Sequence, residues 1–256
     1  MTKVTWQMIE GGRIPIYSDL TLNVSTTGND ATGGLDSPFA TPQIAYDWVV
    51  ANCDFKCANT LKIKMDDGNY PGITINRTIS GLNMVHLTGN GDNTIVSDVY
   101  IDTMNILKLG DLTISSDNKW SLLFVGNSRT FVEGTLKIVS NTGNYGILLF
   151  NGGILTQSDN NSVIDISGNF VNMFHIEKCS TVNFENANIV VNGAASSAVF
   201  YAQFNSSAIV SGTTFSGNIT NGAKYVLQGC SVLYTGGSIA QIPGSAGSAD
   251  SSCYTN

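Results

Sequence analysis

The side chains of this 256-residue sequence that are best suited to acid–base chemistry are a few widely spaced carboxylates. Two carboxyl groups roughly 5–10 Å apart hydrolyse glycosidic bonds, one as general acid and the other as base or nucleophile. If the protein is an enzyme, its candidate catalytic residues are Glu133, Asp165, Glu177 and Glu185. We favour the interpretation that these are isolated solubilising carboxylates, because no Asp or Glu occurs between Asn186 and Ala249.

The histidines and cysteines indicate little metal or disulfide chemistry. His86 and His175 each lack a second ligand at the spacing of zinc sites, so we predict no metal and no cofactor. Five cysteines are too few for a disulfide scaffold in a chain of this length. Cys53 and Cys57 form a possible disulfide if the backbone between them is a loop, and Cys253 is a possible intersubunit thiol.

The composition excludes several classes of protein. Charged residues make up 12% of the chain and its net charge is -7, which argues against intrinsic disorder and against nucleic-acid binding. No apolar run approaches the roughly 18–20 residues of a membrane span, so we expect no membrane insertion. Residues 1–19 lack the apolar core of a signal peptide. Instead, Asn, Gly, Ser and Thr supply 104 residues, which is typical of a turn-rich β-protein.

Short runs of alternating apolar residues recur from residue 104 onward, separated by corners that contain Gly, Asn or Asp. The aligned corners close at Ser128, Gly153, Ser180, Ser207 and Ser231, which are 25, 27, 27 and 24 positions apart. Three short strands in each repeat, with one apolar face, predict an all-β parallel β-helix whose rungs of 24–27 residues stack about 4.8 Å apart. An antiparallel sandwich is the rival interpretation, since Asn-Gly pairs also suit hairpins. The spacing of 24–27 residues between equivalent corners favours the β-helix.

The repeat also places Cys179 and Cys230 at equivalent corners two rungs apart. Two rungs separate them by about 9.6 Å, which is too far for a disulfide.

The two ends of the β-helix differ in sequence. Residues Ser37–Cys53 are the best helical candidate, and we expect this helix to cap the first rung, because an open β-helix end is an exposed strand edge. Its predicted apolar face is Phe39, Ile44, Ala45, Trp48 and Val49. We divide the chain into a leader (1–19), a first strand, loop and capping helix (20–60), the β-helix (61–240) and an extended C-terminal tail (241–256).

The segments Leu20–Asp30, Gly33–Leu35, Pro38–Ala45 and Asp66–Tyr70 carry a resemblance to a known family. They resemble the opening of pectin-lyase-like right-handed β-helix proteins, the tail fibres and tailspikes of tailed bacteriophages. The closing segment Ile239–Gly247 is similar to the ending of tail proteins of phages and prophages. The resemblance covers most of residues 20–247 and implies a right-handed helix, a homotrimer, and a leader in residues 1–19 that docks onto other virion proteins.

The resemblance implies a structural virion appendage that recognises a host-surface glycan or other receptor. The missing signal peptide predicts that it is made in the host cytoplasm, and the sparse carboxylates favour a function without catalysis. A polysaccharide depolymerase, either glycosidase or lyase, is the first alternative, and a purely structural collar or head fibre is the second. The composition is compatible with sugar binding by the exposed aromatic residues Tyr145, Tyr201 and Tyr234.

The apolar residues around Val199, Phe200, Tyr201 and Phe204 are too many for one side of a single strand. We expect some of this apolar surface to meet a neighbouring chain. The alternatives are a bend or a strand that is buried on both faces.

Overall fold

The computed structural model describes residues 12–57, 59–117, 120–237 and 239–256, apart from the side chains of residues 143 and 144. Its helix is α1 (Pro42–Asn52). Its strands are β1 (Ile14–Ile16), β2 (Leu20–Val24), β3 (Cys53–Phe55), β4 (Asn59–Met65), β5 (Gly68–Tyr70), β6 (Ile73–Ile75), β7 (Leu82–Val96), β8 (Val99–Asp102), β9 (Ile106–Ser115), β10 (Ser121–Gly126), β11 (Arg129–Phe150), β12 (Ile154–Gln157), β13 (Val163–Glu177), β14 (Thr181–Asn183), β15 (Asn188–Gln203), β16 (Ser207–Ile209), β17 (Thr214–Ser216), β18 (Ala223–Leu227), β19 (Val232–Tyr234), β20 (Ser248–Ala249) and β21 (Tyr254–Thr255).

The strands pair in parallel and wind into a right-handed parallel β-helix of about 8 turns, which confirms the predicted fold. Long strands such as β11 continue around the corners, so one strand can contribute to all three faces. The first face contains β2, β4, the starts of β7, β9 and β11, and then β12, β14, β16, β19 and β21. The third face contains β6, β8, β10, the ends of β11, β13 and β15, and then β18 and β20. The second face lies between them.

One inward column on the first face shows how the turns share a core. Each member pairs with the next, at intervals of 22 to 27 residues, and all eight side chains are fully buried. Because a single turn cannot bury its own inward face, the stacking of successive turns makes the continuous core. The column is Leu61, Val85, Leu107, Thr130, Leu155, Val182, Ala208 and Leu233.

The pairing corrects one corner of the predicted repeat. Thr181 pairs with Ser207, and Ser207 pairs with Val232. The residue that closes the corner before β16 is therefore Ser206 and not Ser207. The consecutive serines at 206 and 207 made the two assignments equivalent in sequence, but only Ser206 is buried like the closing Ser180 and Ser231.

The corner between the third and first faces repeats one backbone conformation. Five equivalent residues, two positions before each first-face strand, have a positive φ. Gly and Asn tolerate this region better than other residues, which explains part of their abundance. The five residues are Asn127 (φ 40°), Gly152 (80°), Cys179 (62°), Asn205 (60°) and Cys230 (63°).

Helix α1 lies over the first turn, as predicted, but begins later than predicted. It starts at Pro42 and not at Ser37, because a residue that precedes proline disfavours helical geometry and proline is well suited to the first helical position. Thr41 caps it by accepting a hydrogen bond from the amide of Ile44 (3.4 Å). Asp30 fixes the cap, since its carboxylate accepts from the Ala40 and Thr41 amides (2.8 and 2.9 Å) and from the Thr41 hydroxyl.

The buried face of α1 also differs from the predicted one. Pro42, Ala45, Tyr46 and Val49 are buried, at the spacing of one helical stripe. Ile44 is 38% exposed, so its assignment to the buried face was wrong. Phe39 is fully buried, but it lies before the helix, while Trp48 packs partly against the core.

The two ends of the described chain are attached to this body. Of the predicted leader, residues 1–11 lie outside the described residues, whereas β1 pairs with β3 in a two-stranded ribbon. At the other end, β20 pairs with β18 and β21 pairs with β19. Residues 241–256, which we expected to form an extended tail outside the β-helix, therefore form a further partial turn through their backbone.

The cysteines are free thiols. The possible Cys53–Cys57 disulfide is not formed: β3 extends the backbone from Cys53, so the loop that such a bond requires is missing. Cys253 is half-buried and its sulfur accepts a hydrogen bond from the Ser231 amide (3.3 Å), so it is less accessible than a thiol on a free tail.

Candidate functional site: an aromatic ladder on the third face

Aromatic rings from successive turns stack along the outer surface of the third face. Tyr100 pairs with Phe124, and their rings are parallel within 4° at a centroid distance of 4.3 Å. In the same outward column, Leu148 pairs with His175, and His175 pairs with Tyr201. The parallel register therefore brings together rings that are 24 or more residues apart in sequence.

Four of these rings form a continuous series, which we call the aromatic ladder: Trp120, Tyr145, His175 and Tyr201. The ring centroids are 5.1 Å apart from Trp120 to Tyr145, 4.4 Å from Tyr145 to His175 and 4.9 Å from His175 to Tyr201. The ladder crosses four consecutive turns, or about 14 Å at the usual strand spacing.

The rings differ in what they present to solvent. His175 is 7% exposed and lies between two tyrosine rings, so its faces are covered. Trp120 is 66% exposed, and its plane is turned by 73° from that of Tyr145. Trp120 is therefore the member of the ladder that offers a large open aromatic surface.

Polar side chains stand beside the ladder on the same face. Glu177 pairs in register with Gln203, and the Gln203 amide donates a hydrogen bond to Glu177 Oε2. The Tyr201 hydroxyl donates to Gln228 Oε1 (2.8 Å). One carboxylate, two amides and two phenolic side chains thus lie along one strip of surface, and we call Glu177, Gln203 and Gln228 the polar column.

His175 connects the ladder to the polar column. Its Nδ1 lies 3.1 Å from Asn172 Nδ2, so Nδ1 accepts and the proton of the neutral ring is on Nε2. Nε2 lies 3.5 Å from Glu177 Oε2. Burial lowers the pKa of His175, and the charge of Glu177 opposes that effect. A neutral His175 therefore lies in contact with both Glu177 and the neighbouring tyrosine rings.

The four predicted carboxylates do not form a catalytic pair. Glu133 lies on the first face, where Lys108 Nζ is 2.6 Å from its Oε1 and His86 Nε2 is 3.3 Å from its Oε2. Asp165 points outward on the second face, between buried isoleucines, as expected. Glu185 is exposed at the corner after β14. Of these four candidate catalytic carboxylates, Glu177 alone lies on the third face.

The three predicted ligand-binding tyrosines separate in the same way. Tyr145 and Tyr201 are both members of the ladder. Tyr234 pairs with Ile209 on the first face and is 39% exposed, so it belongs to a different surface.

The crowded segment around β15 is explained mainly by burial on both sides of the strand. Val199 and Phe200 are both fully buried, and Phe200 stacks on Phe174 inside the helix at 4.7 Å. Phe204 is 55% exposed at the corner, at a φ of 55°. The doubly buried strand, weighed as an alternative, is therefore what the structure shows.

Sequence reasoning missed two members of the ladder. Trp120 was not singled out, and His175 was treated only as a histidine without metal partners. The signal that finds them is the third-face register, which pairs Ser121 with Tyr145 and His175 with Tyr201. Among the described residues, no group of three or more His, Cys, Asp or Glu side chains could hold a metal ion, and no helix could span a membrane.

No known family model matches the chain, and no curated protein or solved structure shows significant similarity to it. The resemblance to phage β-helix proteins therefore stays a prediction.

Proposed function

We propose that this protein is a non-catalytic appendage of a tailed-phage virion that adheres to a glycan on the host cell surface. The observation that carries the proposal is the aromatic ladder with its polar column on the third face. The virion setting rests on the sequence resemblance alone, as does the homotrimer that the resemblance implies.

The chemistry of the strip suits a sugar. The C–H groups of a pyranose ring pack against an aromatic face, and Trp120 offers such a face. Sugar hydroxyls both donate and accept hydrogen bonds, so they match amides, phenols and a carboxylate. Tyr145, Tyr201, Glu177 and Gln203 supply these groups along the ladder, and Gln228 adds an amide one turn beyond Tyr201.

Binding without cleavage is favoured over hydrolysis by the distribution of the acids. Hydrolysis by the usual route needs two carboxyl groups on either side of one glycosidic bond. Among the predicted candidates, Glu177 lies alone on the third face, and Gln203 and His175 engage its Oε2. A carboxylate held in this way can orient a hydroxyl group.

Adsorption of the purified protein to host cells, and its binding to isolated surface glycan, test the proposal. We expect Trp120→Ala to weaken binding by about tenfold or more, which corresponds to 1.4 kcal/mol or more. The matched control is Tyr254→Ala, since Tyr254 is similarly exposed (55%) but lies on the first face. This variant should bind like the wild type.

The outcomes separate the competing functions. Equal binding by both variants would place the contact outside the ladder and contradict the proposal. Release of new reducing ends or unsaturated sugars from capsule or O-antigen would favour a depolymerase. An absence of any adsorption or glycan binding would favour a collar or head fibre.

A further inference from the structure

A cleft of about 260 Å³ is lined by residues of the β1–β3 ribbon, by the end of α1 and by the corner that follows β6. Two of the three arginines in the chain, Arg13 and Arg77, line this one cleft. Arg13 directly precedes β1, whereas Arg77 lies at the corner after β6. Both arginines are exposed, and they reach the same cleft from parts of the chain that are more than 60 residues apart in sequence.

Neither arginine has an anionic partner among the described residues. The ion pairs of the described chain involve other side chains, and Asp54, the carboxylate that also lines the cleft, is paired with Lys56. Two like charges that share a small cleft repel each other unless an anion lies between them. The charge of Arg13 also reaches the buried Cys53 thiol, where it opposes the rise in pKa to about 11 that burial causes.

The backbone that carries Arg77 is held firmly. Its carbonyl accepts hydrogen bonds from the Tyr46 hydroxyl (2.7 Å) and the Thr103 hydroxyl (3.0 Å). Ser80, three residues later, adds an exposed hydroxyl to the same cleft. The backbone from which the Arg77 side chain extends is therefore held in place.

We propose that this cleft binds a small tetrahedral oxyanion, phosphate or sulfate, between Arg13 and Arg77, with Ser80 as a further donor. Guanidinium groups bind such oxyanions through paired N–H donors, and two of them can hold one anion from opposite sides. The cleft is smaller than the roughly 300–1,000 Å³ of pockets for larger ligands and has room for a tetrahedral anion together with water. The bound anion connects the ribbon to the first turn.

Thermal unfolding of the full chain in inorganic phosphate, against chloride at the same ionic strength, tests this site. An anion that binds the folded state raises Tm in a saturable way. We expect this rise in the wild type and its loss, or a half-saturation concentration about tenfold higher or more, in Arg13→Gln and Arg77→Gln. Arg129→Gln is the matched control, because Arg129 is an exposed arginine over the Phe131 ring on the first face.

A wild type without a saturable rise would overturn the proposal. So would an equal rise in Arg77→Gln and Arg129→Gln, since that result would indicate a general salt effect. Sulfate in place of phosphate should reproduce the response. The Trp120→Ala variant should keep it, so failure of glycan binding and failure of this site are measured separately.

Discussion

At the scale of the residue, Thr130 departs from its neighbours in the inward column of the first face. The other members are Leu, Val and Ala, whereas Thr130 is fully buried and its hydroxyl has no hydrogen-bond partner within the described chain. We expect Thr130→Val to raise the free energy of unfolding by about 1–2 kcal/mol, because a buried unsatisfied hydroxyl costs about 1–3 kcal/mol. Urea denaturation measures this change.

The comparison variant for that prediction is Thr213→Val. Thr213 is also buried, but its hydroxyl donates to the Phe184 carbonyl. This variant should lower the free energy of unfolding by about 1 kcal/mol, the usual net value of one hydrogen bond. A loss of stability in both variants would mean that the hydroxyl of Thr130 is satisfied in solution.

Single residues also show what composition can predict. The abundance of Asn and Gly indicated corners with positive φ, and Asn127, Gly152 and Asn205 occupy such positions. Cys179 and Cys230 adopt the same conformation, and no residue preference predicts that. The repeat predicted that the two cysteines occupy equivalent corners. They share one conformation because the fold imposes it on whichever residue the register places at that corner.

At the scale of the element, the capping helix depends on a loop residue that precedes it. Asp30 accepts three hydrogen bonds from Ala40 and Thr41, so its carboxylate positions the residue that caps α1. We expect Asp30→Ala to lower the free energy of unfolding by about 2–3 kcal/mol, since hydrogen bonds to a charged group are worth about 1.5–3 kcal/mol. Chemical denaturation provides the measurement.

Asp36 is the control for the loop, because it is an exposed aspartate that lies only six residues later. Asp36→Ala should change stability by no more than about 0.5 kcal/mol, as is usual for surface substitutions. A similar loss in both variants would show that the charge of the loop matters and the hydrogen bonds of Asp30 do not.

The strands and the helix were predictable from the sequence where the spacing of the apolar residues and the local composition indicate the same element. Alternating apolar runs predicted the strands, and the segment around Ala45 and Val49 predicted the helix. The tail was misjudged because residues 241–256 have too few large apolar side chains to indicate a strand. In this segment the backbone pairing of β20 and β21 with the previous turn is enough to form the two short strands.

At the scale of the whole molecule, the candidate site follows from the stacking of the turns. Tyr145, Tyr201 and Glu177 could be named from the sequence, but their proximity depends on pairing across turns of unequal length. Between Tyr145 and His175 the register shifts at an irregularity in β11. A repeat length alone therefore does not align the rings, which is why the ladder became visible only in three dimensions.

Deletion of one complete turn tests whether the molecule is stabilised turn by turn. Ile154 pairs with Thr181, so removal of residues 154–180 joins Gly153 to Thr181 in register. Because each turn contacts mainly its neighbours, we expect a folded, shorter β-helix. Circular dichroism should show the β-sheet signal and a cooperative thermal transition.

Removal of residues 154–181, one residue more, should abolish both, since a slip of one residue turns Val182 and later inward side chains to the outside. Equal stability of the two deletion variants would mean that the alternation of inward and outward side chains does not set the register between turns. The proposed turn-by-turn stacking would then be wrong.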